Sequence, residues 1–268
     1  MCNFAGCISM NLTFNIITCT YNAEHTIQRT LDSVASQSWH GVRHIIIDGA
    51  STDRTMELVE RAKQMNEGRV EYVIVSEKDR GLYDAMNKGL QRAKPDYVLF
   101  LNAGDTLHSG ETLREIAAPL QLPPLGGGNL PGVIYGDTDI VDAANHYVGK
   151  REHNPPEVLT WRSFKDGMLV CHQAFYVRTD IARKVPYDLS YRFSADVDWC
   201  IRVMKEVEKN GLELYNMRSV VCNFLAGGMS IQNHRASLHE RFRIMAKHYG
   251  LITTIIKHIK FVFNQRNS

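Results

Sequence analysis

"RHIIIDGASTDRTMELVERAKQM", Arg43–Met65, decides the fold class. Three isoleucines behind His44 form a run too short for a helix and apolar on both faces, as in a strand buried within a covered sheet. The run stops at Asp48-Gly49. Ser51, Thr52 and Asp53 then open a stretch of helix formers with good N-cap chemistry. The same unit recurs on either side. "FNIITC" (14–19), "VEYVIVSE" (70–77) and "DYVLFL" (96–101) read as strands. "AEHTIQRTLDSVASQ" (23–37) places Ile27, Leu31 and Val34 at helical spacing behind Asn22, and "LYDAMNKGLQRA" (82–93) continues the cycle. Strand–helix alternation with short loops predicts right-handed crossovers and a mostly parallel α/β sheet flanked by helices.

The regularity ends near Pro119. "PLQLPPLGGGNLPG" (119–132) is crowded with breakers and predicts an exposed loop. Beyond it, "VIYGD" reads as a strand and "HYVGKRE" as part of a smaller antiparallel element. A helix is expected from Asp196 to about Lys209, then a strand over "LYNMRSVVCNF", a break at "GGMS" and a helix near 235–248. This organisation predicts an N-terminal extension over 1–11, one domain over 12–250 whose two parts are 12–118 and 133–250, and a tail over 251–268.

Composition narrows the function classes. A hydrophobic fraction of 44% and a charged fraction of 22% are those of an ordinary soluble globular protein. The net charge of +2 supplies no basic stripe, so no nucleic-acid partner is expected. Six cysteines lie scattered without C-x-x-C spacing, which fits reduced thiols in a cytoplasmic protein. The first ten residues lack a basic segment and a long apolar segment, so no secretory signal is read, and Met10 could serve as an alternative start. No apolar run reaches the roughly 18–20 residues that span a bilayer.

Parallel α/β sheets bind ligands at the carboxyl ends of their strands. Four such ends carry polar groups here: Thr18–Asn22, Asp48–Asp53, Glu77–Arg80 and Asn102–Asp105. Neither G-x-G-x-x-G nor G-x-x-x-x-G-K-[ST] occurs among them. An Asp closing a buried strand can accept a hydrogen bond from a base N–H, and Gly49 leaves room for a ring. Asp48 and Asp53 could equally cap the following helix.

Together these ends resemble the GT-A nucleotide-sugar glycosyltransferases of family 2. "ITCTYNAEHTIQRTLDSVASQS" is similar to the opening strand, turn and first helix of that family, and "HIIIDGASTDRT" to its base-binding segment. "SEKDRGLYDAMNKGL" and "FLNAGD" resemble the subgroup that builds capsule and colanic-acid-type exopolysaccharides, as do "CHQAFYV", "FSADVDW" and "GGMS" further on. The resemblance implies a GT-A fold and a nucleotide-binding half over 12–118, with an acceptor and catalytic half over 133–250. It also implies an inverting transfer of one sugar from a nucleotide-diphosphate donor to a glycan or polyprenyl-linked glycan.

Carried over by position, Thr20, Tyr21 and Asn22 border the nucleotide, Asp48 reads its base and Asp79 lies near base or ribose. Many relatives carry Arg where this chain has Met86, so Lys78, Arg80 or Lys88 would have to supply that charge. The family's Asp-x-Asp-Asp is thinned to Asn102, Gly104 and Asp105. Asp105 is the expected ligand of a divalent Mg or Mn ion, which needs few carboxylates when a diphosphate supplies oxygens. Asn102 is expected to contact the ribose or hold the loop.

In "RFSADVDWCIRV", Asp196 and Asp198 stand at a helix start, where negative charge is favoured. The resemblance makes Asp196 the base that takes the acceptor proton, and Asp198 a structural group or an acceptor contact. His172 and Gln173 of "VCHQAFYVR" are expected at acceptor or donor sugar, or as a satisfied polar pair. Cys171 beside them has no third orienting group and is not expected to be a nucleophile. His234 is a candidate to complete a metal shell. In the tail, Ile252, Ile255, Ile256, Ile259 and Phe263 share one helical stripe, with Lys257, Lys260 and Arg266 on other faces. Such a helix can lie on the inner face of an anionic membrane, or dock on the core or a second subunit. A sugar nucleotidyltransferase would need a Gly-rich basic loop after the first strand, which "CTYNAEHT" lacks. A non-catalytic nucleotide-sugar binder or scaffold is the remaining alternative.

Overall fold

The computed structural model describes residues 12–122, 125, 130–151, 153–227 and 234–265. The extension over 1–11 with Met10, most of "GGMS" and residues 266–268 lie outside the described residues, as does the side chain of His234.

Four strands, β1 (Phe14–Thr20), β2 (Val42–Asp48), β3 (Glu71–Ser76) and β4 (Tyr97–Phe100), pair in parallel in the order β3-β2-β1-β4. Every residue of β1 is buried, because helices cover both faces of the sheet. Helices α1 (Ile27–Ala35) and α2 (Thr55–Met65) lie on one face, where Ile27, Leu31 and Val59 enclose Ile46 of β2. Helix α3 (Leu82–Arg92) packs Met86 and Leu90 against Ile17 on the other. Gly89 sets that approach: a Cβ there would stand 2.5 Å from Ile17 Cγ2.

The same sheet runs on as β4-β8-β6-β9-β5, with β5 (Thr106–Leu107), β6 (Val133–Val141), β8 (Phe175–Arg178) and β9 (Leu214–Leu225). Here β8 is antiparallel to both β4 and β6, β6 and β9 are parallel, and β7 (Tyr147–Lys150) folds back on β6. Helix α4 (Thr112–Leu120) buries Leu113 and Ile116, and α5 (Thr179–Lys184) buries Ile181. Helix α6 (Ala195–Lys209) inserts Trp199 between Phe100, Phe175 and Tyr187. Two helices close the chain, α7 (His234–Tyr249) and α8 (Leu251–Gln265), separated by Gly250 at φ 83°. No described helix is long and apolar enough to cross a membrane.

Candidate active site

The ends of β1, β2 and β3 are sewn together by side chains. Asp48 is fully buried: its carboxylate accepts from Ser51 N (3.0 Å), Ser51 Oγ (2.5 Å) and Ser76 Oγ (2.6 Å). Ser51 Oγ in turn accepts from Asn22 N at 2.8 Å, and Asn22 Oδ1 accepts from Thr52 N at 2.9 Å. Asp53 binds the first N–H of α2, at Thr55 (2.9 Å), and also Glu24 N (3.1 Å), so it ties the two turns together. Thr20 is buried, whereas Tyr21 is exposed beside it. A Cβ on Gly49 would stand 2.8 Å from Asp79 Oδ2 and 3.3 Å from Tyr21 Cδ2. Tyr21 and Asp79 therefore close over the Gly49 backbone, an approach that a side chain at position 49 would block.

Met86 is packed in the core, and Arg80 and Lys88 both reach Asp84, at 3.0 and 3.8 Å. Lys88 Nζ also donates to the Lys78 carbonyl at 3.0 Å. These basic groups thus serve the start of α3 first.

Thr30 of α1 pins the loop after β4, donating to Asp105 O (2.7 Å) and accepting from Gly104 N (2.9 Å). Asp105 is buried, and its oxygens accept from Gln173 Nε2 (2.8 Å) and Leu225 N (2.9 Å). Burial pushes its carboxyl up to about 6 despite those two hydrogen bonds. Asp105 ties together the β4 loop, the turn before β8 and the end of β9. Gln173, also buried, is the other half of this tie and faces no cleft. Among the described residues no three His, Cys, Asp or Glu side chains are placed to hold an ion. Each Asp105 oxygen accepts one hydrogen bond and keeps a second lone pair, so Asp105, though buried, is the one carboxylate of this loop that could hold an ion.

His172 and Asp196 do converge. Asn102 Nδ2 lies 3.3 Å from His172 Nε2, which leaves Nδ1 to the other side of the ring. That nitrogen faces Asp196 Oδ2 at 3.5 Å, and Tyr83 donates to Asp196 Oδ1 at 3.2 Å. Burial opposes ionisation of Asp196. The hydrogen bond and charge of His172, the Arg241 guanidinium and the Val197 N–H outweigh it, holding the carboxyl below its usual range. The Asp196 side chain keeps 19% exposure, enough to meet a ligand. Cys171 is buried and its thiol is pushed up to about 11, so it carries no thiolate at neutral pH.

Asp198, two residues on, points the other way. Fully buried, it meets Arg202 Nε (2.5 Å), His248 Nε2 (2.8 Å) and Lys247 Nζ (3.2 Å). Burial is again the opposing effect, and these partners still hold the carboxyl far below its usual range. The geometry gives Asp198 the structural role, binding α6 to α7, and no contact with an acceptor. Helix α7 also supplies Glu240, which the sequence reading missed. Its carboxylate accepts from the backbone N–H groups of Arg192 (2.8 Å), Phe193 (2.8 Å) and Ser194 (2.9 Å), directly before α6. Glu240 therefore fixes the approach to Asp196 from more than forty residues away in the chain.

A family model, glycosyl transferase family 2, matches residues 15–185. The chain belongs to glycosyltransferase family 2. This family 2 chain is 31% identical over 191 residues to the PGL/p-HBAD biosynthesis glycosyltransferase of Mycobacterium tuberculosis, covering 70% of this chain and 68% of that protein. It is 37% identical over 91 residues to the putative teichuronic acid biosynthesis glycosyltransferase TuaG of Bacillus subtilis, covering 34% and 35%. Among solved structures, S. aureus TarS 1–349 in complex with UDP superposes with a TM-score of 0.65 at 18% identity, over 88% of this chain and 64% of that one. The mannosyltransferase PcManGT from Pyrobaculum calidifontis, in complex with GDP-Man and Mn2+, gives 0.59 at 17% identity, over 91% and 73%. The fold of this glycosyltransferase is GT-A. Asp196 lies beyond the matched residues, so its part in the chemistry rests on the geometry above.

Proposed function

We propose that this glycosyltransferase moves one sugar, with inversion, from a nucleoside-diphosphate donor to a hydroxyl of a glycan or polyprenyl-linked glycan. The setting is synthesis of a cell-surface glycan or exopolysaccharide, in keeping with the relatives' names. One observation carries the reading: Asp196 is ionised, partly exposed and held by Tyr83 and His172 beside the loop that ends β4. Neutral Tyr83 and His172 orient the carboxylate and leave a lone pair for an acceptor hydroxyl. As the hydroxyl oxygen bonds to the anomeric carbon, the bond from that carbon to the diphosphate oxygen breaks. The hydroxyl proton passes to Asp196, and the electron pair leaves on the nucleoside diphosphate. A single base on the face opposite the leaving group gives inversion.

The base and ribose are assigned to the strand ends around Gly49, beside Tyr21 and Asp79, with Thr20 and Asn22 at the border. The buried Asp48 shapes this place through Ser51 and Ser76 and would read the base through them. Asn102 orients His172. Family 2 enzymes with this fold often use divalent metals. Mg or Mn would enter with the donor diphosphate, with Asp105 as the carboxylate of the β4 loop that could meet it, and loss of transfer on chelation checks the requirement.

Asp196→Asn tests the proposal. Transfer should fall about 10²–10⁴-fold with unchanged melting and unchanged donor binding. Near-parental transfer by a folded Asp196→Asn chain would sink the assignment. Nucleotide binding without transfer or donor hydrolysis by the parent would favour the non-catalytic binder.

A further inference from the structure

Helix α8 is inside out. Toward the protein it turns Thr254, which is fully buried, together with Lys257 and His258. Lys257 pairs with Asp166, and His258 packs edge-on against Phe242 of α7 with ring centroids 4.9 Å apart. Away from the protein it turns Leu251, Ile252, Ile255, Ile256 and Ile259, exposed by 42% at Ile255 to 78% at Ile252. These positions repeat at the spacing of one helical face, so the aliphatic groups form a continuous stripe. An amphipathic helix of a soluble chain ordinarily buries that stripe, and a patch of this kind marks an interaction surface.

Charge selects the partner. From Arg241 to Ser268 the chain has no Asp or Glu, and besides Arg241, Lys247 and Lys257, which face Asp196, Asp198 and Asp166, it carries Arg243, Lys260 and Arg266. The whole protein has a net charge of only +2, so this segment is a local concentration of positive charge. A second copy of the same face would bring like charges together. An anionic bilayer offers apolar depth for the stripe and negative headgroups for its flanks, the combination that holds interfacial helices.

We propose that α8 docks this enzyme on an anionic membrane surface, with Leu251, Ile252, Ile255, Ile256 and Ile259 entering the headgroup–acyl boundary. Gly250, in a left-handed turn, separates the docked helix from α7, whose Glu240 holds the backbone before Asp196. Surface attachment thereby lies one helix away from the base.

The test is co-sedimentation of the full chain with vesicles of phosphatidylcholine alone or with added phosphatidylglycerol, at low and high salt. Binding should require phosphatidylglycerol and weaken as salt rises. The double variant Ile252→Glu/Ile256→Glu changes exposed positions only, so it should melt like the parent and bind at least about tenfold more weakly. Equal binding by parent and variant, or equal binding to both kinds of vesicle, would overturn the proposal. So would a parental dimer that the variant dissociates, with no vesicle binding, since a second copy would then cover the stripe. The readout involves no sugar chemistry, and its failure would leave the transfer reading intact.

Discussion

Asp105→Asn separates a strut from a ligand. In the folded chain the Asp105 carboxyl sits at about 6, against 3.8 when unperturbed. Between those values the unfolded chain releases its proton while the folded chain keeps it, so stability falls as pH rises through this window. Above pH 6 the ionised, buried carboxylate costs about 3 kcal/mol, at 1.36 kcal/mol per pH unit. An amide carries no such penalty. Asn can accept from Leu225 N, but its NH2 meets the Gln173 amide, which must rotate. That rearrangement affects the variant equally at every pH. The prediction is therefore a double difference: relative to the parent, Asp105→Asn should gain about 2.5 kcal/mol between pH 4 and pH 8. Urea unfolding at both pH values, with unchanged m, measures it. A double difference within about 1 kcal/mol of zero would refute the burial of this charge. Nucleotide binding measured alongside, with and without Mg or Mn, should be the same in both chains if Asp105 serves only as a strut.

Gly49→Ala should weaken nucleotide binding about tenfold or more, because the new methyl would stand 2.8 Å from Asp79 Oδ2 and 3.3 Å from Tyr21 Cδ2 and push both side chains aside; titration calorimetry with UDP and GDP checks it. Glu240→Ala strips three backbone N–H groups of their acceptor and should cost about 2–3 kcal/mol in urea unfolding, with kcat falling more than donor affinity. Burial lowers the imidazole of His44 to about 3 from 6.5, so the unfolded chain protonates first as pH drops. Stability should be lost progressively below pH 6.5, by about 4 kcal/mol near pH 3, and His44→Gln, which can still meet Thr18 Oγ1, should remove most of that loss.

The parallel half of the sheet was legible because its signals are local. Buried runs such as Ile45–Ile47 and polar turns such as Asp48–Asp53 lie within a few residues of each other, and their physics needs no distant partner. The 102–105 loop was legible as a place but not as a geometry. Its Asp105 is claimed by Gln173 and by the Leu225 N–H, which lies 120 residues further along the chain. Asp198 was ambiguous for a related reason, since the partners that bury it, Lys247 and His248, come from another helix. Glu240 left no signal, because an acid within a helix reads as solvated surface. The tail stripe was visible as periodicity, but only the packing of Thr254 and Lys257 shows which side faces the protein.

The bonds between α6 and α7 also limit how such a chain can be cut or recombined. A truncation before residue 234 would leave Asp198 facing only Arg202, and the N–H groups of Arg192, Phe193 and Ser194 without Glu240. A chimera that takes its C-terminal helices from a relative would meet the same problem unless an acid and a His-bearing pair arrived in register. The segment that looks like an appendix is part of the scaffold around Asp196, and chimeras built here should exchange α6 and α7 as one piece.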